Sequence, residues 1–329
     1  MIDGIKESIS KDFTNLSFDV TSWKEVLKDS LEVSVFHLQS SINYYAAYHE
    51  GTNISFLLHE NNTPLVVFPL FAYTENNQWM LSSNGEGIIA PLFIQGTPKK
   101  LKKRLEKQIA EIIYIIAHEL KIENVRFFEP NLILSSWYLL WLEKNNKDFL
   151  KYQLAIDLRK SIEDIRLGFR KSYKPLVNKA LKEWQIEVCD KDHDQIFEEF
   201  RLLHLEAAGK ETRSRESWII QKEQIKNQEA FLVTVRDESK LIGAGFFNYT
   251  RDMGMYSVAA YKRELFDRPI GHAVQMIAIE KLKELGCKTY YLGQKATSGL
   301  STEKEISISH FKEGFASHIV AQPNLEVTI

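Results

Sequence analysis

Arg268-Pro269-Ile270-Gly271-His272-Ala273 has the residue types and spacing to hold an anion. This R-x-x-G-x-A run lies between a β-type stretch, Met255–Tyr261, and a helical pattern over Ile270–Leu285. Arg268 brings charge, Gly271 permits close backbone approach, and a helix N-terminus offers unpaired N–H groups, so the run can cradle a pyrophosphate. The same residues also suit an ordinary strand-to-helix turn. A second basic loop gathers Lys210, Arg213 and Arg215 before a helix containing Trp218. It reads either as an anion site at a helix start or as a solvated loop. Arg166, Arg170 and Lys174 are four apart and share a face if one helix carries all three, with Lys179 and Lys182 extending the basic character. Pro175 then forces a kink or a fresh start. His204 falls close to the inward face of a helix over Gln195–Ala208 and suits a half-buried helical histidine.

These residues need elements to position them. Ile54–His59, Pro64–Tyr73, Trp79–Ser82 and Ile88–Phe93 have β character, and Ile42–His49 is aromatic-rich and fits strand or loop. A helix follows, with Thr97 as cap, Pro98 at its first position and Leu101, Leu105, Ile109, Ile112, Ile116 and Leu120 on one face. Its start is crowded with Lys99, Lys100, Lys102, Lys103 and Arg104, which oppose the helix dipole. They form either a solvated face or a contact for phosphate or anionic headgroups. A strand, Asn124–Phe128, comes next. Ser161 and Asp164 resemble a capping box. From Ala230 the β pattern returns as a three-strand meander, followed by the helix and a strand from Thr289. Both halves therefore run strands, helix, strand, a pseudo-repeat of a domain-sized α/β unit. Domains are expected at 1–160 and 161–329, the second including linking helices.

The chain has 329 residues, 44% hydrophobic and 26% charged, with net charge −2, which suits a soluble two-domain protein and disfavours wholesale nucleic-acid binding. Cys189 and Cys287 have no metal or disulfide spacing. No metal is expected. The longest apolar runs, near Ile112–Ile116 and Trp137–Leu142, are too short to span a bilayer, and no signal core opens the chain. A cytoplasmic protein is the expectation.

The R-x-x-G-x-A run resembles the acyl-CoA pyrophosphate loop of the GNAT acetyltransferases. Phe311-Lys312-Glu313-Gly314-Phe315 resembles the F-K-x-G-F run of the Fem aminoacyltransferases, which consist of two GNAT-like halves in tandem. Lys174 to Ala180 is similar to the R-x-x-x-x-x-A segment of their connecting helix, with Lys in place of Arg and Pro175 after it. The chain also resembles Fem-like acyltransferases found with bacterial surface-polysaccharide genes. The resemblance implies an α/β fold with mixed α+β sheets, two tandem GNAT-like acyltransferase domains joined by helices, the first degenerate. It implies acyl transfer to an amine of a glycan or cell-wall precursor, from acyl-CoA held by Arg268, Gly271, His272 and Ala273, or from aminoacyl-tRNA. Lys312 would meet a substrate phosphate or the developing oxyanion. Lys174, and next Lys179, would contact the phosphate of a nucleotide- or lipid-linked amino-sugar or peptide acceptor. Arg170, Arg213, Arg215 and Trp218 are further candidates for substrate binding. Proton handlers for such a reaction are Tyr256, Tyr261, His272 and His310. No Ser–His–Asp or Cys–His arrangement points to a covalent intermediate. A catalytically silent binding protein of the same fold, and an adaptor using Lys99–Arg104, are the competing readings.

Overall fold

A computed structural model describes all residues except 131, 132, 145, 192, 193 and 298. The chain divides into two compact units, Met1–Lys151 with Ala321–Ile329, and Tyr152–Val320. Among the described residues, no helix is long and apolar enough to cross a membrane, and no His/Cys/Asp/Glu group could hold a metal ion.

The first unit opens with α1 (Ile2–Asp12), β1 (Leu16–Ser17), α2 (Trp23–Asp29) and α3 (Gln39–Tyr48). The stretch read as strand or loop at Ile42–His49 is thus helical. Its aromatics favour strands, but Ile42 and Ala46, one turn apart, are both buried, and that packing decides the conformation. Eight strands or strand pieces follow: β2 (Thr52–Asn53), β3 (Phe56–Glu60), β4 (Thr63–Phe68), β5 (Phe71–Glu75), β6 (Gln78–Ser82), β7 (Ile88–Ile89) and β8 (Leu92–Phe93), then, after α4 (Lys99–Leu120), β9 (Asn124–Phe128). The Pro64–Tyr73 run breaks at Pro69, which has no N–H to give. Leu70 N–H is instead bonded to Ser55 Oγ at 2.9 Å, and β4 and β5 enter different small sheets, β1-β3-β4-β8 and β2-β5-β6. Thr97 does not cap α4: its hydroxyl donates to Ile94 O at 2.8 Å, and Pro98 holds the N-cap position without a side-chain cap. α4 lays Leu105, Ile109, Ile112, Ile116 and Leu120 into the core, as the spacing predicts. After it β9 pairs in parallel with β7, over two residues only. α5 (Ser136–Leu142) closes the core with Trp137 and Trp141 against Phe127.

The chain enters the second unit within β10 (Asn146–Asp157). α6 (Ile162–Leu167) is capped by Ser161, whose Oγ accepts from Asp164 N–H. α6 ends at Leu167 and α7 (Tyr173–Glu183) starts afresh with Pro175 in its first turn. Arg166, Arg170 and Lys174 therefore do not share one helical face: Arg170 lies in the turn between two helices. Then come β11 (Gln185–Cys189), α8 (Asp194–Ala208), α9 (Arg215–Lys226), β12 (Ala230–Asp237), β13 (Lys240–Tyr249), β14 (Met253–Tyr261), α10 (Ile270–Glu284), β15 (Thr289–Gln294) and α11 (Glu303–Glu313). The run His310–Glu313 is the last turn of α11, which opens on a Thr302–Glu305 capping box. A single strand, β16 (His318–Thr328), follows, and its later residues pair with β9 in the first unit.

In the second unit the strand order is β11-β12-β13-β14-β15-β10. Neighbours are antiparallel except β14 and β15, which α10 joins as a parallel pair. Period-2 alternation splits the side chains between two faces. Phe231, Val233, Phe247 and Tyr290 pack with α7 and α10 residues such as Val177, Val274 and Leu282. Leu232, Ala244, Phe246 and Val258 pack with Phe197, Phe200 and Trp218 of α8 and α9. Both units thus carry a helix leading into a parallel strand, but only in the second does it cover one continuous meander.

α10 docks on the sheet through close fits. A Cβ at Gly254 would fall 2.5 Å from both Leu282 methyl carbons. Gly254→Ala should therefore cost about 1–3 kcal/mol by overpacking, and Leu282→Ala about 2–5 kcal/mol by leaving a cavity. Because the two occupy the same space, the double variant should lose less than the sum. Urea unfolding of the four proteins measures this; strict additivity would contradict the contact.

Candidate functional site

The parallel pairing of β14 with β15 covers only Met253–Thr289, Gly254–Tyr290 and Met255–Tyr291. Beyond it β14 runs on to Tyr261 and β15 to Gln294. Two irregularities coincide with the parting. Against β13 the register jumps from Phe247–Tyr256 to Phe246–Val258, leaving Ser257 as an extra residue in β14. Against β10 it jumps from Ala155–Tyr291 to Leu154–Gly293, leaving Leu292 extra in β15. Bulges bend and twist a strand, and two facing bulges turn the strands apart. The result is a cleft whose walls are backbone edges with no ladder between them.

Lys312, from the last turn of α11, lies at this cleft. Its Nζ is 5.2 Å from the centre of the Tyr256 ring on one wall. On the other, a Cβ at Gly293 would come within 2.7 Å of Nζ. Gly293 has φ +117°, so its backbone conformation favours glycine, and the missing Cβ leaves the space that Nζ occupies. Burial alone lowers the Lys312 ammonium to about 8. No carboxylate offsets that burial among the described residues.

Tyr256 stacks on Phe247 at 5.3 Å, and its hydroxyl meets Tyr261 Oη at 3.0 Å. Tyr290 Oη donates to Gln275 Oε1 at 2.7 Å, while Gln275 Nε2 is buried without a partner. Desolvation pushes Tyr256 up to about 12, and Tyr261 and Tyr290 well above the usual phenol range. At neutral pH these phenols are proton donors, not bases.

The F-K-x-G-F residues fix α11 to the start of α10. A Cβ on Gly314 would fall 2.1 Å from the Tyr173 ring. Phe315, 1% exposed, lies 4.8 Å from that ring, and Tyr173 Oη donates to Phe311 O at 3.1 Å. Phe311 in turn covers Gly271: a Cβ there would meet Phe311 Cζ at 3.1 Å. So the glycine of the R-x-x-G-x-A run admits an aromatic ring on its Cβ side. His272 sits among Tyr173, Phe311 and Phe315, at 4.4, 5.2 and 5.7 Å, with Nε2 buried and unpartnered. Desolvation, and then the Arg170 charge, lower it to about 4. Ala273 is wholly buried in the same core. Arg268 is ion-paired with Glu183 and lies 5.5 Å over Trp184; its Nε is buried without a partner.

The other candidate residues fall in three places. Arg170 donates to His310 O at 3.0 Å and Tyr173 Oη at 3.1 Å, which ties the α6–α7 turn to α11. His310 itself is exposed. Lys174, half-buried, and Lys179, exposed, are on α7. Arg213, Arg215 and Trp218 belong to the α8–α9 side of the sheet, the face opposite the α10 core. There Arg213 lies 5.4 Å from the Trp218 ring and bonds His204 Nε2 at 2.9 Å, and burial brings His204 to about 4. The sequence reading passed over Tyr173, Gln275 and Gly293. Only Gly293 carried a signal, as a lone glycine in a strand pattern.

His272 should stay neutral through physiological pH. Its folded value lies below its unfolded one, so the unfolded state takes the proton first. The stability it carries is present above about 6.5 and is lost as pH falls toward 4. NMR titration should find its midpoint near 4; a midpoint near 6.5 would refute the aromatic cage.

No protein-family model and no curated protein matches the sequence. Solved structures do match. FemX superposes with TM-score 0.70 at 11% identity, over 95% of this chain and 96% of that one. L-PGS from Bacillus licheniformis gives 0.61 at 12%, over 94% and 92%. The C-terminal domain of a putative lysylphosphatidylglycerol synthetase from Agrobacterium fabrum gives 0.61 at 10%, over 93% and 90%.

Proposed function

We propose that this mixed α/β chain, similar in fold to FemX, is an N-acyltransferase that moves an acyl group from acyl-CoA to an amino group of a cell-surface glycan or cell-wall precursor. The observation that carries this reading is the parting of β14 and β15 beside the buried Lys312 ammonium. Unladdered edges can bond the amides of a pantetheine-type arm and place the thioester carbonyl by Lys312. The acceptor amine attacks that carbonyl, and the oxyanion forms next to a charge already desolvated and fixed, where it is most effective. As the C–S bond breaks, the leaving thiolate takes a proton from the Tyr256–Tyr261 pair, and the amine loses its own to water. Arg170 positions α11. Lys174 and Lys179 are the cations proposed to meet an acceptor phosphate. Arg213, Arg215 and Trp218, on the far face, have no part in this cleft.

One observation favours a second donor, aminoacyl-tRNA. Arg268 is already engaged by Glu183, and Gly271 is covered by Phe311. A pyrophosphate on this loop would have to displace both contacts. Thermal shift separates the two donors: acetyl-CoA should raise the melting temperature. No response to any acyl-CoA, with stabilisation by aminoacyl-tRNA, reverses the choice of donor. No response to either favours a silent protein of this fold.

The role of Lys312 has its own signature. As an oxyanion partner it must be protonated, so kcat/KM should fall as pH rises through about 8. Lys312→Met should lower kcat on the order of a hundredfold or more, the scale of a lost oxyanion donor. Lys312→Arg should move the alkaline limb upward. A rate that climbs through pH 8 would make Lys312 a base instead.

A further inference from the structure

The first unit has a surface that transfer chemistry does not use. Lys99, Lys100, Lys103, Arg104 and Lys107 are exposed on the opening turns of α4, with Lys102 half-buried 5.1 Å over the Phe93 ring. Of these, Arg104 is paired, with Glu60. α5 packs along α4: Ser136 Oγ donates to Glu106 Oε1 at 2.7 Å, and the Tyr114 and Trp141 rings lie 5.5 Å apart. α5 therefore begins beside the turn that carries Lys102 and Lys103, whose charges act on the Glu106 carboxyl. Just before it, Ile133 is 81% and Leu134 40% exposed. α5 turns Trp137, Tyr138 and Trp141 inward and leaves Leu139 and Leu142, one turn apart, outward at 45% and 38%. The start of α5 thus lies beside a cluster of cations that helix stability does not call for, and four large apolar side chains stand exposed just before it and along it.

We propose that this α4–α5 face docks on an anionic lipid bilayer. Ile133, Leu134, Leu139 and Leu142 enter the headgroup region while the lysines meet lipid phosphates, the division of labour of an interfacial helix. The charge argues for a polyanion, and the aliphatic side chains select a lipid surface over nucleic acid, which would be met by aromatic stacking. The inference does not rest on the transfer reading, and its test needs no turnover.

The test is co-sedimentation with vesicles of phosphatidylcholine alone or mixed with phosphatidylglycerol. The protein should bind the mixed vesicles, and binding should weaken with salt. Each surface cation contributes about fivefold to such partitioning, so Lys99→Glu/Lys103→Glu should weaken binding by at least about tenfold. Leu139→Ser/Leu142→Ser should weaken it also. The four changed side chains are exposed, so both variants should keep the wild-type melting temperature. Failure of the wild type to bind mixed vesicles overturns the proposal. So does loss of binding on charge reversal with the leucine variant unaffected, which marks attraction to charge alone without entry of the α5 side chains into the headgroup region.

Discussion

Two parallel strands that part after three residue pairs need something to hold them apart, and here the last turn of α11 does so. Lys312 reaches between Tyr256 on β14 and Gly293 on β15, whose backbone at φ +117° leaves room for the ammonium. The turn is anchored behind by Phe311 on Gly271, Gly314 against Tyr173, and Phe315 in the core. Arg170 fastens it from the α6–α7 turn. Remove that anchoring and the cleft loses both its charge and its wedge.

The electrostatics follow from the same packing. A lysine buried without a carboxylate is held at a cost, and its affinity for its proton falls accordingly. That cost is recovered when a negative charge forms beside it. The phenols of Tyr256 and Tyr261 lie against the same wall and are held protonated by burial. A site with one desolvated cation and two proton donors suits a reaction that generates an oxyanion and a thiolate or alkoxide. The R-x-x-G-x-A run also ties neighbouring elements together. Arg268 ties α10 to α7 and β11 through Glu183 and Trp184, and His272 fills an aromatic cage.

Much of the second unit was legible in the sequence because its signals are local. The three-strand meander from Ala230, the helix after the R-x-x-G-x-A run and the strand from Thr289 all agree with the structure. The first unit was harder, since its strands are short and divide among small sheets, and α3 has strand-like residues held helical by burial of Ile42 and Ala46. The cleft itself was not legible. A bulge at Ser257 leaves no mark in a run such as Met253–Tyr261, because register is a property of two strands and a sequence shows one. The grouping of Arg170, Lys174 and Arg166 on one face failed for a related reason: the break at Gly168 to Ser172 sits inside a pattern whose spacing continues across it.

The central claim is that the reacting carbonyl lies between β14 and β15 beside Lys312. A crystal soaked with a non-hydrolysable acyl-CoA tests it most directly. The account predicts density running along the free edges beyond Met255 and Tyr291, with the acyl carbonyl within hydrogen-bond reach of Lys312 Nζ. Ligand density on the α8–α9 face near Arg213 and Trp218, with the cleft unchanged, would contradict it.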